Sequence, residues 1–510
     1  MPTADLGPLT AFAENTPTKA SGGGRDFVVV RRGEGAFVLD HECQHLGAPL
    51  SKGHVDGDTI VCPWHRATFA LTDGALLEPP GLNCQRAYAT SLEDGALIVA
   101  WDEEAEPHPA PDMTSTDTDP RHAVVLGAGA AGITAAESLR AFGFGGELTV
   151  IDREKAAPYD RTKLSKGLTE DAEKVRLRSD AWLERHQVAM RHEEVESIDP
   201  HTRTVTFADG ETLSADILIV APGSEPNRLG VPGAQSPRVI TLRSAEDAQV
   251  LSSAIAGTKR AAIIGTGFIG LEAATVLSGQ GVKVTVIGRD EVPFAQILGE
   301  RIGARLKREQ EAEGVTFVRG DVEEIETDED MPRAVLLEDG TRITADLVVM
   351  AVGVRPRSGI LSGVEPEKDG GVTVGADLSL PGCQGVYLAG DIARLPTAWG
   401  SIRVEHWRFA QQLGRLAAKA VVTGDARYEG APFFWTKQQA SGSYVYLGHA
   451  EAWDDIVYEG DADGGKDFAA YYVEGGRITA VFGHGMADKL SALERQMSRE
   501  GPLPREAAPA

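Results

Sequence analysis

A chain of 510 residues is too long for one hydrophobic core and implies about three or four domains. Hydrophobic content of 42% and charged content of 25% are ordinary for a soluble globular protein. A net charge of −26 argues against nucleic acid or anionic membrane as partners, and no run approaches the ~18 apolar residues that span a bilayer.

The first twenty residues include Asp5 and Glu14 and lack the apolar stretch of a secretory leader, so a reducing cytoplasm is the expected location. Phe27–Val30 and Leu97–Ala100 are short runs that read as strands. Between them lie two boxes, Cys43-x-His45 and Cys62-x-x-His65, with sixteen residues separating them. Each box supplies one thiolate and one imidazole. Two cysteines on one iron and two histidines on the other make the ligand set of a Rieske [2Fe–2S] centre. A tetrahedral zinc site uses the same atoms. Zinc fingers, however, usually pair cysteines in one box and histidines in the other, whereas both boxes here are mixed.

Gly47, Gly53 and Gly57 predict tight loops whose N–H groups point at cluster sulfurs, with Pro49 and Trp64 keeping water away. The segment from Phe27 to about Trp101 resembles a Rieske ferredoxin domain, and residues 1–102 are assigned to it. Arg66 departs from that pattern, because the family commonly has glycine after the second histidine. No further cysteine pair flanks the boxes, so the loop-bracing disulfide of high-potential Rieske proteins is absent. A low-potential cluster is expected, and the acidic chain pushes the same way. Cys84 and Cys383 lie in different predicted domains, which argues against a disulfide framework.

Residues 103–120 read as a linker of Glu, Asp, Pro, Ser and Thr that cannot bury a core. Beyond it the pattern becomes strand, glycine loop and helix: Ala123–Leu126, then Gly127-x-Gly129-x-x-Gly132, then a helix from Ile133 to Phe142. The next strand, Leu148–Ile151, ends in Asp152, an acid about 25 residues past the first glycine that suits ribose hydroxyls; Glu154 is the other candidate. The grammar recurs at Ala261–Ile264, Gly265-x-Gly267-x-x-Gly270, a helix Leu271–Leu277 and a strand Lys283–Ile287. One such loop is weak evidence, and a helix cap with incidental glycines explains it as well. Two in full context, a domain's length apart, imply two nucleotide sites. The second strand ends in Gly288-Arg289 where an NAD-selective site usually has Asp or Glu. Arg289 could pair with a 2′-phosphate or be a solvated loop residue, so the co-substrate reads as NADH or NADPH, with tolerance of NADPH.

The middle and end of the chain resemble FAD-dependent ferredoxin reductases of the glutathione-reductase fold, and most closely their apoptosis-inducing-factor-like branch with a fused Rieske domain. The motifs that carry the resemblance are Pro158–Lys166, Ala221–Pro226, Gly265–Glu272, Ala351–Pro356, Leu388–Asp391, Glu405–Trp407 and Phe433–Thr436. It implies an N-terminal all-β Rieske domain, an α/β flavoprotein body with two dinucleotide-binding domains, and a C-terminal α+β domain. By position, residues 121–239 and 354–430 would bind FAD, 240–353 would bind NAD(P)H, and 431–510 would cover the flavin and form an interface.

Asp391 resembles the acid that holds the flavin's ribityl chain, and Lys166 the cation beside the isoalloxazine. Glu272 resembles the glutamate facing that lysine near the nicotinamide. Lys166 and Glu272 could instead be a surface pair contributing under ~1 kcal/mol. Arg161 and Ala221 sit in motifs that contact the cofactor, and His406 and Trp407 would pack near the flavin's pyrimidine edge, though Trp407 equally suits an ordinary core. No cysteine occurs from 85 to 382, so the redox-active pair of disulfide-reducing members is missing, and Cys383 reads as structural. Residues 501–510 are expected to fray.

The implied activity is a relay from NAD(P)H through FAD to the chain's own cluster, then to a ferredoxin, cytochrome or oxygenase, by a monomer or homodimer. Two alternatives remain open: an oxidase or diaphorase using oxygen, quinones or small acceptors with a redox-sensing cluster, and a non-catalytic regulator like the apoptotic relatives.

Overall fold

The strand Arg25–Arg32 carries Phe27, Val28, Val29 and Val30 in succession, all buried. Successive strand side chains face opposite ways, so this run serves two cores. Val28 and Val30 join Leu39, Leu50, Ile60 and Phe69 in one, while Phe27 and Val29 join Val38, Leu97, Val99 and Trp101 in the other. In the computed structural model, three antiparallel sheets enclose these cores. One orders Thr3–Pro8, Ala96–Ala100 and Ala89–Glu93; another orders Thr18–Gly22, Arg25–Arg32 and Gly35–Asp40. The third orders His54–Asp56, Thr59–Val61, Thr68–Ala70 and Leu76–Glu78. This N-terminal region and the rest of the chain form two compact units. The structure describes residues 1–104, 119–167, 171–438 and 442–509, so the linker assigned to 103–120 lies almost wholly outside the described residues.

The larger unit uses one plan twice. The first parallel sheet orders Ala189–His192, Glu147–Asp152, His122–Leu126, Ile217–Val220 and Val386–Leu388. The second orders Thr316–Arg319, Lys283–Gly288, Arg260–Ile264, Leu347–Met350 and Val239–Ile240. Their central strands are apolar along their length, as strands covered on both faces must be. In each, the strand at the centre runs into a glycine loop and a helix, Ala130–Ala141 or Phe268–Gly279. Each sheet also has a three-stranded antiparallel companion, Val195–Ser214 in one case and Val322–Thr344 in the other.

The C-terminal part is α+β. Its antiparallel sheet orders Phe433–Gln438, Gly442–Gly448, Arg477–His484, Phe468–Glu474 and Asp455–Gly460, with the helix Ala487–Glu500 following. The expectation of a frayed end after Gly501 is wrong for residues up to 509. Leu503 is fully buried and pairs with Ile478, Arg505 N–H donates to the Gly476 carbonyl (3.0 Å), and Ala508 is buried. One apolar side chain fitting the core outweighs the freedom of a chain end. Among the described residues no helix is long and apolar enough to cross a membrane.

Candidate functional site

In the N-terminal unit the two boxes fall on loops whose bases are pinned by backbone hydrogen bonds. Cys43 N–H donates to the Ala48 carbonyl (2.8 Å) and Cys62 N–H to the Ala67 carbonyl (2.9 Å). Cys43 and Cys62 are buried in the core with Leu50, Ala67 and Phe69, and their thiols interact directly. The hydrogen bond from Cys43 is the largest influence drawing the Cys62 thiol down to about 7; N–H groups of His65 and Trp64 and the Arg66 charge help. The same pairing, with burial, pushes Cys43 up. His45 Nδ1 and His65 Nδ1 lie 3.1 Å apart.

The four side chains thus form a sulfur pair and a nitrogen pair. Two bridged irons take their ligands two-and-two in this way. The donors seen toward the sulfurs belong to residues in or next to the boxes, His45 and Leu46 toward Cys43, His65 and Trp64 toward Cys62. Trp64 is 49% exposed, and the burial of the two cysteines comes from the β-sheet core they share. Arg66 is buried with φ +63°, the left-handed conformation that explains why glycine suits this position.

In the larger unit a cleft of about 1380 Å³ opens at the first glycine loop, beyond the roughly 300–1,000 Å³ of a single-ligand pocket. Gly127 has φ +94°, and a Cβ there would meet the Ala221 carbonyl at 2.2 Å; at Gly132 it would meet the Gly127 carbonyl at 1.7 Å. At Gly129 the nearest atom would be Arg161 Nε, 3.8 Å away, which leaves room for a ligand. Asp152 Oδ2 accepts from Ala128 N–H (3.1 Å) and its Oδ1 from Glu154 N–H (3.2 Å). Burial, the largest influence, raises its pKa against the opposing Arg161 charge. Glu154 lines the same cleft, where it pairs with Arg161 (2.6 Å) and accepts from Tyr159 (2.6 Å).

The helix Thr162–Gly167 starts from Asp160, whose Oδ1 accepts Thr162 N–H (2.9 Å). It presents Lys166 to Glu272 on the helix Phe268–Gly279, Nζ to Oε1 at 3.3 Å. Ser165 Oγ donates to the other oxygen, Oε2. With its side chain only 7% exposed, Glu272 is no surface residue. Asp391 Oδ2 accepts from Ser224 Oγ (2.8 Å) and pairs with Arg243 (3.4 Å). His406, at the N-cap of the helix Trp407–Thr423, is half-buried; desolvation and the charges of Arg408 and Lys166 lower its pKa to about 3, so it is neutral. Its Nδ1 is buried without a hydrogen-bond partner among the described residues. The rings of Phe434 and Trp435 pack on it at 5.5 and 5.0 Å, and Trp407 lines the same cleft.

The second loop repeats the first. Gly265 has φ +113° and a Cβ there would meet the Ala351 carbonyl at 2.2 Å; at Gly270 it would meet the Gly265 carbonyl at 2.6 Å; at Gly267 nothing lies within 4 Å. Arg289 pairs with Asp321 (2.8 Å) at the surface.

Residues 121–414 match the family described as pyridine nucleotide-disulphide oxidoreductase, and residues 4–89 match the Rieske [2Fe-2S] domain. The chain belongs to the pyridine nucleotide-disulphide oxidoreductases. It is 31% identical over 479 residues to human apoptosis-inducing factor 3, covering 90% of this chain and 78% of that one. It is also 31% identical over 326 residues to the benzene 1,2-dioxygenase system ferredoxin–NAD(+) reductase subunit of Pseudomonas putida, covering 62% and 78%. Among solved structures, the ferredoxin reductase for the CYP199A2 system from Rhodopseudomonas palustris aligns with TM-score 0.70 and 27% identity over 76% of this chain and 96% of that one.

The protein is therefore an FAD-dependent NAD(P)H oxidoreductase with an N-terminal Rieske domain. Its own residues fit both groups. The two-and-two ligand arrangement suits an iron pair, and the cleft offers an open Gly129 and the unpartnered His406 Nδ1 to a flavin nucleotide. Sequence reasoning missed Ser165, Ser224 and Arg243. Ser165 and Ser224 sat inside recognised motifs, Pro158–Lys166 and Ala221–Pro226, whereas Arg243 reaches Asp391 from 148 residues away and carries no local signal. Cys383 is buried, with Sγ 3.6 Å from His201 Nδ1.

Proposed function

We propose that the protein passes electrons from NAD(P)H through FAD to its own Rieske cluster and on to an acceptor of the ferredoxin, cytochrome or oxygenase kind. The observation that carries this reading is the sulfur pair and nitrogen pair of Cys43, Cys62, His45 and His65, in a chain that also holds a dinucleotide cleft in which Lys166 pairs with the buried Glu272. When bound, FAD supplies the conversion between paired and single electrons that nicotinamide and iron cannot make between themselves.

On this reading Gly127, Gly129 and Gly132 admit the flavin pyrophosphate, with Asp152, Arg161 and Ala221 around the nucleotide. Asp391, fixed by Ser224, takes the ribityl hydroxyls. Lys166 brings positive charge to the ring, where it stabilises anionic character as hydride arrives. Glu272, held at both oxygens, keeps Lys166 oriented from the nicotinamide side. His406, neutral and partnerless at Nδ1, and Trp407 meet the pyrimidine edge. Gly265, Gly267, Gly270 and Arg289 receive NAD(P)H. Residues 121–239 with 354–430 would then bind FAD, 240–353 NAD(P)H, and 431–510 would cover the flavin. The ferredoxin acceptor is drawn from the name of the Pseudomonas relative. The pairing of Lys166 with the buried Glu272 inside the cleft weighs against a non-catalytic regulator, which would have no use for it.

The test is His65→Ala under anaerobic conditions with NADPH and NADH. Flavin absorbance should bleach at the wild-type rate while the reduced-cluster EPR signal is lost. Slow bleaching would sink the scheme, because the cluster would then be needed upstream of the flavin. Unchanged turnover with a cytochrome acceptor in the same variant would favour direct flavin-to-acceptor transfer instead.

A further inference from the structure

The two parallel sheets can be laid over one another by their own register. Leu126 pairs with Ile151 in the first and Ile264 with Ile287 in the second, so Asp152 and Gly288 hold the same place, the end of the strand beside the glycine loop. That is where the adenine ribose of a bound dinucleotide comes to rest. At Gly288 there is no carboxylate, and a Cβ would fall 2.4 Å from Thr266 Cγ2, so a larger residue would require the Thr266 side chain to move. The feature that makes such a site prefer a free 2′-hydroxyl is missing.

What stands there instead is a pair of arginines, beside the acids Asp290 and Asp321. Arg289 follows Gly288 directly, and Arg319 is opposite Gly288 in the neighbouring strand. Arg319 Nε donates to the Arg289 carbonyl (2.9 Å) and Gly320 N–H to the Gly288 carbonyl (2.9 Å), so the two arginine backbones are fastened side by side. Arg289 Nε is occupied by Asp321 Oδ1 at 2.8 Å, in a pair whose side chains are 78% and 51% exposed. Such a pair is solvent-screened and weak. A phosphate monoester carries close to two charges and three acceptor oxygens and suits guanidinium forks better than one carboxylate.

We propose that the second site takes NADPH in preference to NADH, its 2′-phosphate held by Arg289 and Arg319, with Asp321 as an internal counterion that the phosphate displaces. This rests on reading the Gly265–Gly270 loop as the NAD(P)H site. It sets the chain apart from the relative named a ferredoxin–NAD(+) reductase.

Calorimetric binding of 2′,5′-ADP and 5′-AMP to the flavin-loaded, full-length protein at low salt tests it without any turnover. The expected result is 2′,5′-ADP binding about tenfold tighter or more, a ratio worth ~1.4 kcal/mol. Arg289→Ala and Arg319→Ala should each shrink that ratio, and together bring it near one, while Asp321→Asn should widen it. Equal affinities in the wild type, or a preference that survives the double arginine variant, overturn the proposal. Binding of neither nucleotide overturns the reading of the loop beneath it, and the proposal falls with it.

Discussion

The two glycine loops look alike in sequence and differ in what demands each glycine. In both, the first glycine presses on the carbonyl that ends the next parallel strand, Ala221 or Ala351, at 2.2 Å from a hypothetical Cβ. In neither would a Cβ on the middle glycine meet anything closer than an ordinary contact: Arg161 Nε at 3.8 Å for Gly129, nothing within 4 Å for Gly267. The third separates them: a Cβ at Gly132 would stand 1.7 Å from the Gly127 carbonyl, at Gly270 2.6 Å from the Gly265 carbonyl. The first loop is also tied to its strand by Asp152, which accepts Ala128 N–H, whereas the second strand ends in Gly288. The first loop is therefore the more tightly built. Outer glycines answer to the fold and middle ones to the ligand, a distinction that the repeated spacing alone hides.

The largest effect should come from breaking the tight corner. Gly132→Ala forces the loop and helix apart, at a cost of roughly 3 kcal/mol or more, while Gly270→Ala should cost about 1–2 kcal/mol. Thermal unfolding of the two flavin-loaded variants measures the difference, and the first should also lose flavin on gel filtration. Equal losses would mean the two loops are equally tolerant and the contrast between them is empty.

A smaller effect separates ligand from fold. Gly129→Ala places its methyl at ordinary contact distance from Arg161, so unfolding of the flavin-free protein should hardly change. FAD affinity should fall about tenfold or more, since the methyl stands where a pyrophosphate approaches. Gly267→Ala should instead raise the KM for NADPH and leave the flavin bound. Fluorescence of released FAD and steady-state kinetics read the two apart. Loss of flavin from the Gly267 variant would show that the loops had been assigned the wrong ligands.

Much of this was legible because local patterns carried it. The mixed Cys/His boxes, the two strand–glycine–helix units and the strand ending in Asp152 are short-range features, and Lys166 and Glu272 lay within recognised motifs. What the sequence hid was long-range. Ser224 and Arg243 meet Asp391 only because strands far apart in the chain end at one cleft. The exposure of Trp64 followed from a sheet core that already fills the space around Cys43 and Cys62. The ordered segment after Gly501 depended on Leu503 finding Ile478. Composition suggested a loose end, and one buried side chain reversed it.

The smallest expected effect is a pH dependence confined to the first loop. Burial is the main influence on Asp152 and raises its folded pKa above 3.8. A raised carboxylate costs folding free energy above the unfolded pKa instead of supplying it, and the cost vanishes as the pH falls below that value. What the ionised form contributes is acceptance: it takes Ala128 N–H and Glu154 N–H and offers its remaining lone pairs to ribose hydroxyls. Protonation removes much of that capacity. Flavin affinity should therefore decline on acidification from a pH above 3.8, earlier than an ordinary aspartate would allow. Asp152→Asn should bind FAD more weakly at neutral pH yet show no such decline, because its amide does not titrate. Released-flavin fluorescence against pH compares them, and the same acid limb in both proteins would assign the titration to another group.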